Sequence, residues 1–428
     1  MSGRKGAKAE QDSRSAQGKP MYHPKLGHLP AHWKTMRFGD AFQEVKVAVD
    51  VEDAQNYVEI GIRSHGKGLF YKEPVTGAKL GDKSVFWVQP DCLVANIVFA
   101  WEQGIARTTG SEVGLIASHR FPMFKPKEDL VDLDFVLYFF KTDRGRVILD
   151  DASPGGAGRN KTLSRTELFR SHIPLPPLPE QRRIARILGT WDRAIGLLGQ
   201  QIAAKEERLR GLIDQLVSGA RHGASNGQLP KGWRWVRLGE LGTFAKGKGI
   251  LKSEIHPEGV PVVTYGELYT VHHVRVKRFH SFVAEAVADG SQPIQRNDVL
   301  FAGSGETAEE IGKAAVYLDK ERACAGGDVI ILRPNGINAL YLATALNSTI
   351  TDRQRLKFGQ GHSVVHIYPS QLAEMEVPLP PNETQDHIAN ATASFDDELD
   401  LLRMKLKELH EQKRGLMQLL LSGGLMNH

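Results

Sequence analysis

Residues 173–220 read IPLPPLPEQRRIARILGTWDRAIGLLGQQIAAKEERLRGLIDQLVSGA, and residues 377–424 read VPLPPNETQDHIANATASFDDELDLLRMKLKELHEQKRGLMQLLLSGG. Laid over each other at an offset of 204 residues, the two stretches need no gap. Pro174 falls on Pro378, Gln181 on Gln385, Ile184 on Ile388, Asp192 on Asp396, Arg210 on Arg414, and Ser218-Gly219 on Ser422-Gly423. A repeat of this kind decides the architecture before any local reading does. A fainter echo lies upstream: Leu29-Pro30-Ala31-His32-Trp33 resembles Leu229-Pro230-Lys231-Gly232-Trp233, and Phe38-Gly39 resembles Leu238-Gly239, at an offset of 200. The chain is two copies of one plan, namely a short leader, a long body, a proline run and a helix. The two bodies differ strongly in sequence, so they serve different targets or surfaces.

Proline fixes its own torsion and disfavours helix in the residue before it, so Pro174–Pro179 and Pro378–Pro381 are expected to be extended and to mark boundaries. Beyond the first run, Leu188, Trp191, Ile195, Leu198, Ile202, Lys205, Leu209, Leu212 and Leu216 step alternately by 3 and 4, apolar everywhere but Lys205. The second copy has Thr392, Phe395, Leu399, Leu402, Leu406, Leu409, Lys413, Leu416 and Leu420 at the equivalent positions. Such stepping is the seam of a coiled coil. Each helix would run about 38 residues, roughly 57 Å. A seam of that length is not stable exposed, and its nearest partner is the other copy. Antiparallel packing would bury both seams and send the bodies to opposite ends; a seam that makes a homodimer is the other reading. Gly219 and Gly423 would end the helices in the left-handed conformation that glycine adopts cheaply.

The expected organisation is a flexible tail at 1–20, a body at 21–172, a proline run with its helix at 173–222, a second body at 223–376, and the second proline run and helix at 377–424. The fold class is α+β: two mixed α/β bodies separated by two long helices packed as an antiparallel coiled coil, in a pseudo-twofold duplicated chain. Short β-prone runs such as Val260–Tyr265 and Asp328–Leu332 alternate with glycine-rich turns, and each body carries a late helix, at 132–142 and 337–350.

Composition sets bounds without naming a function. The 428 residues suit two or three domains, and 41% hydrophobic with 25% charged residues is the balance of a soluble globular protein. No stretch approaches ~18 consecutive apolar residues, and the polar, basic first twenty lack a secretory core. Two cysteines, Cys92 and Cys324, lie too far apart in sequence to suggest a zinc site. A reduced, cytoplasmic protein is expected. The net charge of +5 and pI near 9.0 permit a polyanionic partner without establishing one.

Catalytic signatures are weak. Phe301-Ala302-Gly303-Ser304-Gly305 looks like a glycine loop for S-adenosylmethionine, but the Pro-Pro pairs at 176–177 and 380–381 lack the preceding Asn or Asp and the following aromatic that an amino-methyltransferase needs. A tight turn after a strand is the simpler reading. In Gly305–Ala314 the glycine spacing is wrong for a phosphate loop, and Ala314 stands where a hydroxyl would hold magnesium. His272 and His273 are adjacent, and His362 and His366 are spaced i, i+4 in a segment ending Ile367-Tyr368-Pro369, which is a poor helical metal pair, so a structural or DNA-contacting role is the favoured reading. No catalytic residue, bound cofactor or metal site is expected.

Basic residues in glycine-bearing loops recur in both bodies. The first has Arg63, His65 and Lys67, and Arg159, Asn160 and Lys161, with Arg107 between; the second has Lys246 and Lys248, His272, His273, Arg275, Lys277 and Arg278, and later Gln360 and His362. Such loops can approach a phosphate backbone, with Lys and Arg neutralising phosphates and Arg, Asn, Gln or His reading base edges. A solvated charged face is the plain alternative for any one cluster; recurrence in both bodies favours DNA.

The pattern Ile173-Pro-Leu-Pro-Pro-Leu-Pro-Glu-Gln-Arg-Arg-Ile-Ala185, followed by a long helix and duplicated after a divergent body, resembles type I restriction-modification specificity subunits. Leu229–Gly239, Asn297-Asp298-Val299-Leu300-Phe301 and Ile311-Gly312-Lys313 resemble that family too, and the likeness runs from about Leu29 to Gly424. Gln89-Pro-Asp-Cys-Leu-Val-Ala95 is a looser counterpart of the Asn297 segment, and Asn382-Glu-Thr384 departs from Leu178-Pro-Glu180. The resemblance implies that each body is a target recognition domain reading one half of an asymmetric, bipartite double-stranded DNA site, with the helices as a ruler for the gap. It further implies two modification subunits that methylate adenine with S-adenosylmethionine, and ATP- and magnesium-dependent restriction subunits as partners, none of these cofactors being bound by this chain. A coiled-coil scaffold with two peptide- or protein-binding bodies is the alternative.

Overall fold

In the computed structural model each proline run opens as a strand, with Pro174 and Pro378 in it, but the first run is not extended to its end, because Pro179 already lies in the first turn of the helix Leu178–Val217, where its missing N–H costs nothing. His172–Leu175 pairs antiparallel with Lys34–Arg37, and Glu376–Leu379 pairs antiparallel with Arg234–Arg237. The leader and the proline run of each copy therefore close on each other, which the short Leu-Pro and Trp echo alone did not disclose. In both copies the tryptophan ends a turn closed by its N–H on the proline carbonyl, Trp33 to Pro30 and Trp233 to Pro230, at 3.0 Å each. A single helical turn follows, Phe38–Ala41 or Leu238–Leu241. Its first N–H donates to Ser171 in one copy and to Met375 in the other, at 2.8 and 2.9 Å. The structure describes residues 21–23 (backbone only), 26–127, 129–156, 161–223, 228–358 and 365–423.

The chain divides into two compact units, Met1–Leu197 with Leu406–His428, and Leu198–Lys405. Both long helices, Leu178–Val217 and Asn382–Ser422, contribute a segment to each unit. In the first unit Ile184, Ala185 and Leu188 share a buried cluster with Leu420 and Leu421, and Asp192 pairs with Lys413 at 2.5 Å. In the second unit Ile213, Leu216 and Val217 cluster with Ile388 and Ala389, Lys205 pairs with Glu398 at 2.7 Å and Glu206 with Arg403 at 2.6 Å. Within each unit the segments run antiparallel, as the seam predicts. Every seam position is buried or half-buried, whereas Leu197, Leu401 and Met404, off the seam, are exposed. The two lysines that interrupt the seam, Lys205 and Lys413, each form an ion pair with the other helix, so their polarity has a partner. Gly219 and Gly423 have φ of 74° and 78°, the left-handed termini expected. A Cβ on Gly423 would sit 2.0 Å from Pro30 Cγ, so glycine is required there for space as well as torsion.

The body of the first unit is built on an antiparallel sheet in the order Ile105–Arg107, Leu93–Ala95, Met123–Pro126, Phe42–Val45. Its core is aromatic: Phe38 stacks on Phe42 at 4.4 Å and meets Phe124 edge-on at 5.4 Å. The second body has a five-stranded sheet, Gly242–Lys246, Val329–Pro334, Val299–Ala302, Ala314–Tyr317 and Arg275–Val276, and a four-stranded one, Ser281–Val283, Val260–Val263, Ala323–Ala325 and Gln292–Ile294. Both contain one parallel pairing among antiparallel ones. The late helices expected at 132–142 and 337–350 are present as Leu133–Phe140 and Ala339–Leu346, and each is followed at once by a second helix, Asp143–Asp151 or Thr349–Phe358. In the first body Thr142 causes the break, its hydroxyl accepting from Gly145 N–H to cap a new helix. Among the described residues no helix is long and apolar enough to cross a membrane.

Candidate nucleic-acid interface

One turn recurs in both bodies and positions their loops. In the second body Asn297 is left-handed (φ 73°), its N–H donates to Tyr317 O at 2.6 Å, and Tyr317 N–H donates to Asp298 O at 2.9 Å. In the first body Asp91 is left-handed (φ 53°), its N–H donates to Thr108 O at 3.1 Å, and Thr108 N–H donates to Cys92 O at 2.9 Å. The loosely matching Gln89–Ala95 segment is thus the same turn leading into the same buried strand. What differs is the buried residue. Asp298 is fully buried, accepts from Gln295 N–H and is gripped by Arg333 at 2.8 and 2.9 Å, whereas Cys92 fills that place in the first body. A thiol needs no counter-cation, so the first body dispenses with the arginine.

From the end of each strand hangs a loop, Asn96–Gly104 or Ala302–Lys313. Asn96 N–H donates to Gly104 O and Ala302 N–H to Lys313 O, at 2.7 and 3.0 Å. Gln103 (φ 58°) and Gly312 (φ 65°) take the same left-handed position before that closure. Gln103 tolerates the strain because its amide donates to Phe140 O and Thr142 O, at 3.0 and 3.1 Å. A later segment docks on each loop, Leu163 N–H on Ile97 O at 2.8 Å and Ile367 N–H on Gly303 O at 3.0 Å.

Several of the sequence-predicted residues gather around these loops. In the first body His65 N–H donates to Glu102 O at 2.6 Å and Gly66 N–H to Gln103 O at 2.9 Å, so the exposed Arg63, His65 and Lys67 stand beside the Asn96–Gly104 loop. Arg63 lies over the Phe70 ring at 5.1 Å, and Lys161 pairs with Asp150 at 2.5 Å beside Trp101. In the second body Lys246 and Lys248 are exposed on a strand end packed against Gly326–Asp328, where a Cβ on Gly247 would lie 1.9 Å from Gly326 O. Asp328 O accepts from Gly303 N–H at 2.8 Å, which joins these lysines to the Ala302–Lys313 loop. On the same loop buried Ser304 bonds His366 Nδ1 at 2.9 Å, and the ring stacks on exposed Tyr368 at 6.5 Å. His366 lies in the short strand Val365–His366, so no helical histidine pair forms with His362. An imidazole fixed at one nitrogen and backed by a tyrosine can present the other nitrogen to a hydrogen-bonding partner. Sequence reading favours a structural or DNA-contacting role over a metal pair for these histidines, and places His362 but not His366 among the candidate DNA-binding residues.

Other predicted residues sit elsewhere. Arg107 is held by Asp91 at 2.8 Å and Asp134 at 2.6 Å. His272 is only 4% exposed, and burial pushes its imidazole down to about 4 despite nearby Glu267. Arg275 and Lys277 face the second long helix. Arg275 bonds Asp396 at 2.8 Å and Asp397 at 2.6 Å, and Lys277 bonds Asp396 at 2.7 Å and also Asp400. Burial raises the Asp396 carboxyl, and the bonds from Lys277 and Arg275 outweigh it and hold it low. Arg278 reaches Met404 Sδ on the same helix, and exposed His273 precedes this group. Asp396, Asp397 and Asp400 come within 4.8 Å of one another, close enough for a metal, but Arg275 and Lys277 already supply their counter-charge. Arg159, Asn160, Gln360 and His362 lie outside the described residues.

Comparisons with known proteins agree with this duplicated plan. The chain is 22% identical over 422 residues to the type I restriction enzyme MjaVIII specificity subunit of Methanocaldococcus jannaschii, covering 92% of this chain and 93% of the relative. Its fold resembles the type I restriction-modification S subunit from M. genitalium, with a TM-score of 0.58, 16% identity, and 91% and 96% of the two chains covered. It equally resembles a chain from a structure of complex assembly and conformational transition in a type I R-M system, with a TM-score of 0.57, 18% identity, and 93% and 99% covered. A family model described as the type I restriction modification DNA specificity domain matches twice, at residues 93–206 and 230–411. The first match takes in the later part of the first body and most of its long helix, the second takes in nearly all of the second body and most of its helix, and because together they cover more than half of the chain it belongs to the type I restriction-modification DNA specificity family.

Proposed function

We propose that this chain is the sequence-reading subunit of a type I restriction-modification complex, each body recognising one half of an asymmetric, bipartite duplex site. The observation that carries the reading is the repeated mounting. Two bodies with the same turn, the same loop attachments and different loop chemistry are each set on the start of one long helix and the end of the other. Reading two separated half-sites demands a rigid spacer, because DNA turns once in about 34 Å and a flexible link would lose rotational phase. The long helices are that spacer.

In each body the loop Asn96–Gly104 or Ala302–Lys313 and the segments docked on it form the reading surface. Arg63, Lys67, Lys246 and Lys248 neutralise phosphates there, and His65 and His366 offer imidazoles to base edges. Arg275 and Lys277 serve the fold instead, since a phosphate would have to compete with two carboxylates at Arg275 and three at Lys277.

The chain has no catalytic centre. Two modification subunits, which bind S-adenosylmethionine, supply adenine methylation, and restriction subunits using ATP and magnesium supply cleavage, all in the cytoplasm. The test is a methylation assay on a duplex of known sequence with the chain alone, with the modification subunit alone and with both. Transfer only from the mixture supports the reading; transfer by the chain alone overturns it. A coiled-coil scaffold binding peptides would show no salt-dependent affinity for a bipartite duplex, whereas phosphate neutralisation makes DNA affinity fall steeply with salt.

A further inference from the structure

Two residues that recur at the offset of 204 fasten each body to its own long helix at two points. The first point is a glutamine. Gln181 is 1% exposed; its amide donates to Pro176 O at 2.8 Å and Leu130 O at 3.0 Å, and its carbonyl accepts from Asp132 N–H at 2.8 Å. Gln385 is also 1% exposed; its amide donates to Pro380 O at 2.9 Å and its carbonyl accepts from Asn338 N–H at 2.9 Å. Asp132 and Asn338 are the N-caps of the helices Leu133–Phe140 and Ala339–Leu346, so in both copies the glutamine joins the start of a long helix to the start of a body helix.

The second point is an aspartate three turns further along, about 16 Å away along the helix axis. Asp192 accepts from Tyr138 Oη at 2.6 Å, the tyrosine lying on the body helix whose N-cap residue the glutamine holds, and from Lys413 Nζ at 2.5 Å. Asp396 accepts from Arg275 at 2.8 Å and Lys277 at 2.7 Å, both in the second body. A single attachment leaves a body free to swivel about it. Two attachments three turns apart on a stiff helix fix its rotation as well as its position.

We propose that Gln181 with Asp192, and Gln385 with Asp396, are positioning residues that set the angle of each body on its helix and thereby the rotational phase at which its half-site is accepted. This rests on the bipartite reading above. The glutamine is identical in both copies because the groups it bonds in the body are backbone, Leu130 O and Asp132 N–H in one and Asn338 N–H in the other, which every body can supply. The aspartate is identical while its partners differ, because any donor in the right place will serve: a tyrosine in one body, an arginine and a lysine in the other.

The test uses the chain assembled with its modification subunit and duplexes whose gap is native, one base pair longer or one shorter. Wild type should methylate the native gap far better than either neighbour. Gln181→Met, Gln385→Met, Asp192→Asn and Asp396→Asn should each lower that preference, by about tenfold for a lost hydrogen bond to a charged or buried group, while both half-sites stay required. The isosteric asparagine variants answer the question even where a methionine variant unfolds. Variants that melt lower yet keep the full wild-type gap preference would reduce these residues to plain stabilisers and overturn the proposal. A wild-type complex indifferent to the gap would instead sink the bipartite reading itself.

Discussion

The two mountings use the same aspartate in unlike surroundings. Asp192 is held by one tyrosine hydroxyl and one lysine, and Lys413, with a side chain 16% exposed, has Asp192 as its carboxylate. Asp396 is held by Arg275 and Lys277, which also reach Asp397, and Lys277 reaches Asp400 as well. The first mounting is a single bond pair, the second a network with spare acceptors. Duplication has kept the anchoring acid and let each body evolve its own way of gripping it, which is how two bodies of unrelated surface can share one frame.

Four measurements sharpen or break this contrast. The largest effect is expected from removing one heptad within 188–216 together with its counterpart within 392–420. A heptad is about 10 Å of helix, about three base pairs, so the accepted gap should shorten by that amount with both half-sites unchanged. An unchanged gap would refute the spacer. Next, Asp192→Ala should lower stability by roughly 2 kcal/mol, since it leaves a lysine ammonium and a phenol without their shared acceptor, less than a fully buried pair would lose because Asp192 is partly solvated. Asp396→Ala should cost nearer ~1 kcal/mol because Asp397 and Asp400 remain for the displaced cations. Equal losses in denaturant melts would erase the distinction between single pair and network.

A pH titration probes a buried histidine of the second unit. His272 is neutral when folded, its imidazole lowered from 6.5 to about 4 by burial, so protons bind the unfolded chain first. Its contribution is fully present above pH 6.5 and is lost as pH falls toward 4, up to about 3 kcal/mol. Replacing His272 with Phe should flatten the acid side of the stability profile of that unit; a profile still as steep would place the acid sensitivity elsewhere. The smallest effect concerns binding. Lys246→Ala or Lys248→Ala should each lower the slope of log affinity against log salt by about 1. Lys277→Ala should leave that slope as it was, and a change there would return it to the DNA-facing set.

Much of this frame is legible in the sequence because its signals are local and strong. The seam, the terminal glycines Gly219 and Gly423 and the duplicated glutamine and aspartate all come from spacing alone. The pairing of the proline runs with the leaders is not legible, since four-residue strands containing prolines carry no alternation to read. Nor is the equivalence of Gln103 with Gly312, because a left-handed position normally announces itself by glycine and here an amide side chain compensates. The role of Arg275 and Lys277 was hidden for a different reason: a basic run looks the same whether it meets phosphate or a row of aspartates 120 residues later. Charge clusters disclose their partner only when the fold brings one alongside, and the loops around Gly303 and Gln103, which gather residues from four separate stretches, could not be assembled without it.

The most direct test of the whole account is to map methylated adenines on random-sequence DNA exposed to the chain with its modification subunit. Two unlike half-sites separated by one constant, unread gap are expected. A single uninterrupted recognition sequence, or two halves at variable separation, would contradict the assignment of one body to each half on a fixed spacer.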